Sequence, residues 1–115
     1  MKIFNKVKGD INEEKAVQYI RKNTKLKIVE RNYRNKIGEI DIIAKDDDFL
    51  VFVEVKYRTT AMFGYGREAV DDNKIWKIRN VAQLYLKEIN RLNAKVRFDV
   101  VDILGDTITY IQNAF

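Results

Sequence analysis

Residues 39–58 read EIDIIAKDDDFLVFVEVKYR, two runs of apolar and β-branched residues separated by three consecutive aspartates. Alternation of this kind predicts two antiparallel strands joined by a tight polar turn. Side chains of successive strand residues point to opposite faces. One face of the second strand therefore begins with Leu50 and Phe52 and ends with Glu54 and Lys56. Two ionised groups at the end of an apolar face indicate a role beyond packing.

The pairing between these two strands decides whether their acids meet. If Asp46 pairs with Phe49, Asp41 lies opposite Glu54, and directly opposed residues have Cβ atoms about 5 Å apart. Lys56 then joins them in a patch that suits a divalent cation and an activated water. A three-residue turn without a bulge would instead place the two carboxylates on different faces. The competing interpretation is that Glu54 and Lys56 form the solvated end of an edge strand.

The composition limits the chemistry that the chain can perform. Its 115 residues suit a single domain spanning residues 1–115. The sequence has no cysteine and no histidine, which excludes disulfides, thiolate zinc sites, cysteine nucleophiles and the commonest general base. Any reaction must then use carboxylates, lysine, tyrosine or hydroxyls. Because carboxylate oxygens prefer hard cations, the expected cofactor is Mg²⁺ or Mn²⁺.

The sequence contains no long apolar run and no N-terminal pattern of a secretory signal. We therefore expect a cytoplasmic protein without a membrane partner.

The net charge of +5 is unevenly distributed along the chain. Residues 1–36 hold eleven Lys and Arg against four acids, whereas residues 37–55 hold one Lys against six acids. An acidic segment in a basic protein is typical of a metal-dependent enzyme acting on a polyanion, because the basic surface attracts phosphates while the acids hold the cation. The alternative is an ordinary basic surface whose contrast is inflated by the turn aspartates. The pattern favours a polyanion, such as nucleic acid, as the partner.

The remaining segments predict helices on either side of this strand pair. A first helix is expected from Asp10, as N-cap, to about Arg21, with Glu13 either as capping-box partner or as an acid on the apolar stripe. Strands are expected at residues 26–33, 96–104 and 107–111. A long helix should run from Asp71 or Asp72 to about Leu92, with Trp76 in the core. The predicted order is αβββαβ(β).

Several stretches of the chain resemble the PD-(D/E)XK nuclease superfamily. More narrowly, the chain is similar to the YraN-type bacterial family, which is related to archaeal Holliday-junction resolvases. The stretches that carry the resemblance are ERNYR (30–34), GEIDIIA (38–44), VFVEVKYR (51–58), EAV (68–70), RFDVV (97–101) and NAF (113–115). Asn12 stands where the family usually has glycine, and Ile40 replaces the proline of the superfamily's name.

The resemblance implies a fold, a metal site and a reaction. The fold would be a single-domain α/β, restriction-endonuclease-like fold with a central mixed sheet of four to five strands flanked by helices. Asp41, Glu54, the backbone carbonyl of Val55 and Glu13 would be the metal ligands. Lys56 would sit beside the attacking water, so that Lys56, Glu54, Asp41 and Glu13 form the catalytic set. The reaction class would be hydrolysis of a phosphodiester.

Basic residues near this set are candidates for nucleic-acid binding, and we call Arg31, Arg34, Lys36 and Arg58 the basic rim. The competing interpretation of the rim is an ordinary solvated surface. The loop at residues 62–66 has three open roles, namely a wedge into a DNA junction, a homodimer interface, or packing on the sheet, and packing is favoured.

Three functions remain open at this point. The first is a metal-dependent nuclease on structured or branched DNA. The second is a nucleic-acid-binding protein of the same fold that cleaves little or not at all. The third is an interaction protein whose site holds a structural cation. The combination of Asp41, Glu54 and Lys56 favours the nuclease, because uncompensated acids have no evident structural use.

Overall fold

A computed structural model describes residues 2–58 and 71–115, with side chains from residue 9 onward. The order of elements matches the predicted α/β arrangement. The helices are α1 (Lys2–Asn23) and α2 (Asp72–Glu88), and the strands are β1 (Lys27–Arg34), β2 (Glu39–Asp46), β3 (Phe49–Arg58), β4 (Lys95–Leu104) and β5 (Thr107–Ile111). None of the helices among these residues is long and apolar enough to cross a membrane.

The five strands form one mixed sheet in the order β1-β2-β3-β4-β5. Neighbouring strands are antiparallel except for β3 and β4, which are parallel. A parallel pair requires a crossover connection, and α2 lies within the chain that joins β3 to β4. The predicted central mixed sheet flanked by helices is confirmed.

Each helix covers one face of the sheet. Ala16, Val17 and Ile20 of α1 pack against one apolar cluster, which contains Val51 and Val53 of β3. The buried side of α2 packs against the other cluster, which contains Ile40, Ile43, Leu50 and Phe52. Because β3 is covered on both faces, Glu54 and Lys56 are not the end of a solvated edge strand.

The β2–β3 hairpin has the first of the two registers that the sequence left open. Asp46 pairs with Phe49, and the same pairing continues to Ile42 with Val53. The turn is the two-residue loop Asp47-Asp48, and Asp47 has a φ of 52°. Aspartate tolerates this left-handed conformation better than most residues because its side chain can bond to the local backbone.

Helix α1 begins at Lys2, so the prediction that Asp10 caps its N-terminus is wrong. Asp10 lies inside the helix, and the capping-box role of Glu13 is excluded with it. The helix continues through Gly9, since an interior glycine costs only about 1 kcal/mol relative to alanine. Glu13 therefore has no capping function and projects from the middle of the helix.

Helix α2 confirms one predicted end and corrects the other. Asp71 is the N-cap, and its Oδ1 accepts a hydrogen bond from the Lys74 backbone N–H at 2.8 Å. The helix ends at Glu88 rather than near Leu92, and Asn90 follows with a φ of 57°. The predicted core position of Trp76 is wrong, because 64% of its surface is exposed.

A buried polar network joins the start of β4 to β5 and to the β2–β3 hairpin. Asp99 is fully buried and accepts hydrogen bonds from Arg97 Nε at 3.1 and 3.2 Å, from the Asn113 backbone N–H at 3.0 Å, and from Tyr110 Oη. Arg97 also donates to Asp46 Oδ2 at 3.0 Å. Burial is the main cause that raises the pKa of the Tyr110 hydroxyl, and the hydrogen bond to the Asp99 carboxylate raises it further. The network fixes three strands relative to one another.

Candidate functional site

The site lies where β2 and β3 stop pairing. Their backbone register ends at Ile42 and Val53, one pair before the predicted Asp41–Glu54 pair. In place of that pair, Asp41 Oδ2 accepts a hydrogen bond from the Val55 N–H at 2.8 Å. The Asp41 carboxylate thus occupies the gap between the two strands. From this gap it is near acidic groups on both faces of the sheet.

Glu54 lies on the α2 side of this gap. Only 6% of the residue is exposed, and its Oε1 is 3.5 Å from Lys74 Nζ. Burial and then the charge of Asp41 raise the pKa of Glu54 to about 7, against the opposing effects of Lys74 and Lys56. The predicted proximity of Asp41 and Glu54 is therefore present, although it does not come from a direct backbone pair.

Asp41 has its own elevated pKa. Burial is the main cause, and it is partly offset by the Val55 N–H bond and by the charges of Lys74 and Lys56. Two acids that both resist ionisation indicate that the surrounding positive charge does not fully compensate them. A cation bound at these carboxylates would offset the free-energy cost of ionising them in a poorly solvated site.

Glu13 approaches Asp41 from the α1 side. Its Oε1 is buried and makes no hydrogen bond among the described residues, although Arg31 Nε lies 3.7 Å away. Burial and then the charge of Asp41 raise the pKa of Glu13, while Arg31 and a hydrogen bond from Asn32 lower it. The charge of Asp41 thus acts on Glu13, and the role of Glu13 as a metal ligand stays a prediction.

Glu13 and Asp41 share a groove of about 580 Å³. Its lining is polar and is drawn from α1, β1, β2 and β3: Gly9, Asp10, Glu13, Asn32, Arg34, Glu39, Asp41, Val55 and Tyr57. Glu54 is not part of this lining and lies on the other side of Asp41. Asp41 is therefore the common member of two acidic pairs, one with Glu13 and one with Glu54.

The donor set fits a hard divalent cation in type and in charge. Carboxylate oxygens are the preferred ligands of Mg²⁺ and Mn²⁺, and Glu13 Oε1 is a buried oxygen without a hydrogen bond in the part of the chain that is described. Within that part, no group of three or more acidic side chains converges closely enough to hold one ion. Asp41 and Glu54 would be the primary ligands, and all four proposed ligands, including Glu13 and the Val55 carbonyl, stay predictions.

Lys56 follows Glu54 by two residues on β3 and therefore points to the same face. It is half-buried, and its positive charge lowers the pKa of both Glu54 and Asp41. Its register partner on β4 is Asp102. The charge of the predicted catalytic lysine therefore acts on both acids.

Three of the four residues of the basic rim share one edge of the sheet, and Arg58 does not. Arg31 contacts Glu14 at 2.8 Å, Arg34 contacts Glu39 at 2.7 Å, and Lys36 is exposed in the turn after β1. These three residues lie along one edge of the sheet.

Arg58 departs from the rim that the sequence predicted. Its Nε and NH2 groups donate to Asp102 at 3.1 Å each, and only 9% of its side chain is exposed. This bidentate ion pair links the end of β3 to β4, so Arg58 is a buried structural residue rather than part of an exposed rim. The loop at residues 62–66, including its proposed dimer role, lies outside the described residues.

Lys74 is the site residue that the sequence did not reveal. Its position in the first turn of α2 was compatible with plain surface. The available signal was topological, since the crossover helix between parallel strands packs on the sheet face that carries Glu54. No spacing rule links Lys74 to Glu54 before that topology is known.

The pKa of Glu54 predicts how stability depends on pH. A carboxyl whose pKa is higher in the folded protein stabilises it fully below the ordinary pKa near 4.5, and this contribution is lost as the pH rises through about 7. In metal-free solution, Glu54→Gln should therefore gain stability over the wild type between pH 5 and pH 8, by up to about 3 kcal/mol. Urea unfolding at several pH values measures this difference.

Glu14→Gln is the matched control for this titration. Hydrogen bonds from Gln18 and Arg31 lower the pKa of Glu14, so this variant should show no such gain as the pH rises. Parallel stability curves for wild type and Glu54→Gln would contradict the assignment of Glu54 as a destabilised acid.

Comparison with known proteins shows a consistent family match. The model of the uncharacterised protein family UPF0102, the YraN-type family that the sequence resembles, matches residues 12–103. A UPF0102 protein from Persephonella marina is 42% identical over 98% of this chain and 97% of its own length. UPF0102 proteins from Clostridioides difficile and Fusobacterium nucleatum are 49% and 48% identical, covering 96% and 91% of this chain and 98% and 87% of their own lengths.

Proposed function

The chain belongs to the uncharacterised protein family UPF0102, and we propose that it is a metal-dependent nuclease that hydrolyses phosphodiester bonds in DNA. The observation that carries this proposal is the acid pair of half-buried Asp41 and buried Glu54, whose pKa values the positive charge of Lys56 lowers. The resemblance of residues 38–58 to PD-(D/E)XK nucleases supports the same reaction.

Each residue of the set has a distinct role in this reaction. Asp41 and Glu54 hold the cation, and their burial strengthens the interaction because water competes poorly there. When bound, Mg²⁺ or Mn²⁺ supplies a Lewis acid that stabilises charge on the reacting phosphoryl group. Lys56 positions the attacking water and offsets negative charge as the phosphorus becomes five-coordinate.

The basic residues along the β1 edge of the sheet, rather than the groove itself, favour a polyanionic substrate. The groove is lined by more acids than bases, and its basic lining residue is Arg34, whose side chain is 77% exposed. Arg31 on β1 and Lys36 in the turn after it add positive charge to this edge, where they can contact phosphates. Structured or branched DNA is the proposed substrate class, on the basis of the resemblance to junction resolvases.

A second function is a nucleic-acid-binding protein with little or no cleavage activity. One observation favours it: among the described residues, the acids form two pairs around Asp41 instead of one group of three. Arg31 and Arg34 would then contact phosphates without any reaction at the acidic site.

A panel of DNA substrates separates the two functions. Linear, flapped, single-stranded and four-way DNA are incubated with Mg²⁺, Mn²⁺ or EDTA, with Glu54→Gln as the inactive control. This variant is expected to be at least as stable as the wild type, so a loss of cleavage would not reflect unfolding. The nuclease proposal expects metal-dependent cleavage of at least one substrate by the wild type alone. Salt-sensitive binding without cleavage would support the second function, and neither binding nor cleavage would overturn both.

A further inference from the structure

Lys74 holds a position that a cation at Glu54 would also require. Its Nζ lies 3.5 Å from Glu54 Oε1. The carboxylate side of this pair is buried, with 7% of the side chain exposed, whereas 42% of the Lys74 side chain is exposed. The ammonium therefore reaches a buried acid from the edge of the site.

The backbone of Lys74 is fixed while its side chain is free to extend. Its N–H donates to the Asp71 cap at 2.8 Å, which anchors the residue in the first turn of α2. The part-exposed side chain has several rotatable bonds and a well-hydrated charge. Movement of the ammonium away from Glu54 requires no movement of the helix.

The charge of Lys74 acts on both proposed ligands. It lowers the pKa of Glu54 and that of Asp41, so it opposes the effect of burial at each acid. In the protein without a divalent ion, Lys74 is thus a principal source of positive charge for the pair.

We propose that Lys74 is a tethered counter-cation that occupies Glu54 in the metal-free protein and competes with the divalent ion for it. This inference rests on the proposed metal site at Asp41 and Glu54. An ammonium in contact with Glu54 Oε1 and a divalent ion on the same oxygen repel each other, so each weakens the binding of the other. Lys74 therefore lowers the metal affinity of the site while protecting its acids when no ion is bound.

The proposal predicts a direction that ligand loss does not. Removing a ligand weakens metal binding, whereas removing a competing cation strengthens it. A general loss of positive charge also strengthens cation binding slightly. Lys77 provides the matched control, because it is exposed on the same helix, carries the same charge, and forms no ion pair with Glu54 among the described contacts.

The test measures Mn²⁺ affinity by calorimetry in wild type, Lys74→Gln and Lys77→Gln. We expect Lys74→Gln to bind Mn²⁺ roughly ten-fold more tightly than the wild type, and Lys77→Gln to stay within about two-fold. Affinity in Lys74→Gln equal to or weaker than that in Lys77→Gln would overturn the proposal. Absence of Mn²⁺ binding by all three proteins would overturn it as well.

Thermal unfolding of the same three proteins measures the effect of Lys74 on stability, with and without the metal. In EDTA, Lys74→Gln should unfold at a lower temperature than the wild type, because its acids have lost a counter-charge. Saturating Mn²⁺ should raise its midpoint by more than it raises the midpoint of the wild type or Lys77→Gln. Equal Mn²⁺-induced shifts of the unfolding midpoint in all three proteins would show that Lys74 does not compete with the metal, and would contradict the proposal.

The outcomes for Lys74 and for the nuclease proposal are separable. Tighter Mn²⁺ binding in Lys74→Gln by a protein that cleaves none of the DNA substrates would leave the competition intact and remove the nuclease. Metal-dependent cleavage with unchanged Mn²⁺ affinity in Lys74→Gln would do the reverse.

Discussion

Replacing Lys56 by alanine should slow DNA cleavage by about a hundred-fold or more while leaving Mn²⁺ affinity the same or slightly higher. A positioned group that assists proton transfer contributes about 10²- to 10⁴-fold to a rate. Because Lys56 is itself a cation, its loss does not remove a metal ligand. Its charge favours ionisation of Glu54 and Asp41. Single-turnover cleavage at saturating Mn²⁺, combined with calorimetry, measures the two effects separately.

Lys36→Ala is the control for the Lys56 experiment. Lys36 is exposed in the turn after β1 and is a proposed phosphate contact, not a member of the proposed catalytic set. Its loss should affect substrate affinity and not the rate at saturating DNA. Cleavage by Lys56→Ala at the wild-type rate would make Lys56 a structural residue and would contradict the mechanism.

The largest effect on stability is expected at Asp99. In Asp99→Ala, the buried guanidinium of Arg97 loses a partner, and the Asn113 N–H and Tyr110 hydroxyl lose their acceptor. Breaking a buried ion pair from one side typically costs about 3–5 kcal/mol. Urea unfolding should show a loss of this size, with the change concentrated in the midpoint rather than in the slope.

An exposed ion pair between the β2–β3 turn and the start of β4 provides the comparison for Asp99. Asp48 and Lys95 approach within 3.5 Å, but their side chains are 76% and 64% exposed. Asp48→Ala should cost less than about 1 kcal/mol, since solvent screens such pairs. A loss below 1 kcal/mol in Asp99→Ala as well would show that the buried network does not hold β4 in place.

The fold could be predicted because its signals are local. Alternation and turn residues within residues 39–58 predicted the hairpin, and Asp46 and Phe49 pair in one of the two registers that these signals allowed. The order of helices and strands follows from the same periodicities. The start of α1 was missed because the helix continues past Gly9 without a cap that the sequence marks.

The site could be predicted only in part because several of its contacts are not local. Asp41 and Glu54 were found from strand alternation, yet the carboxylate of Asp41 replaces the expected backbone pair by bonding to the Val55 N–H. Arg58 was assigned to a surface because its partner, Asp102, lies on a strand that pairs with β3 only after the crossover. Lys74 was missed for the same reason.

Mn²⁺ titration of the wild type and of Asp41→Asn by calorimetry tests the central claim most directly. Asp41 is the acid common to both pairs, and asparagine preserves an oxygen acceptor for the Val55 N–H while removing the charge. The wild type should bind Mn²⁺, and Asp41→Asn should bind it at least about ten-fold more weakly, because a ligand charge is lost. Equal Mn²⁺ affinity in the two proteins, or no binding by the wild type, would contradict a metal site at Asp41 and Glu54.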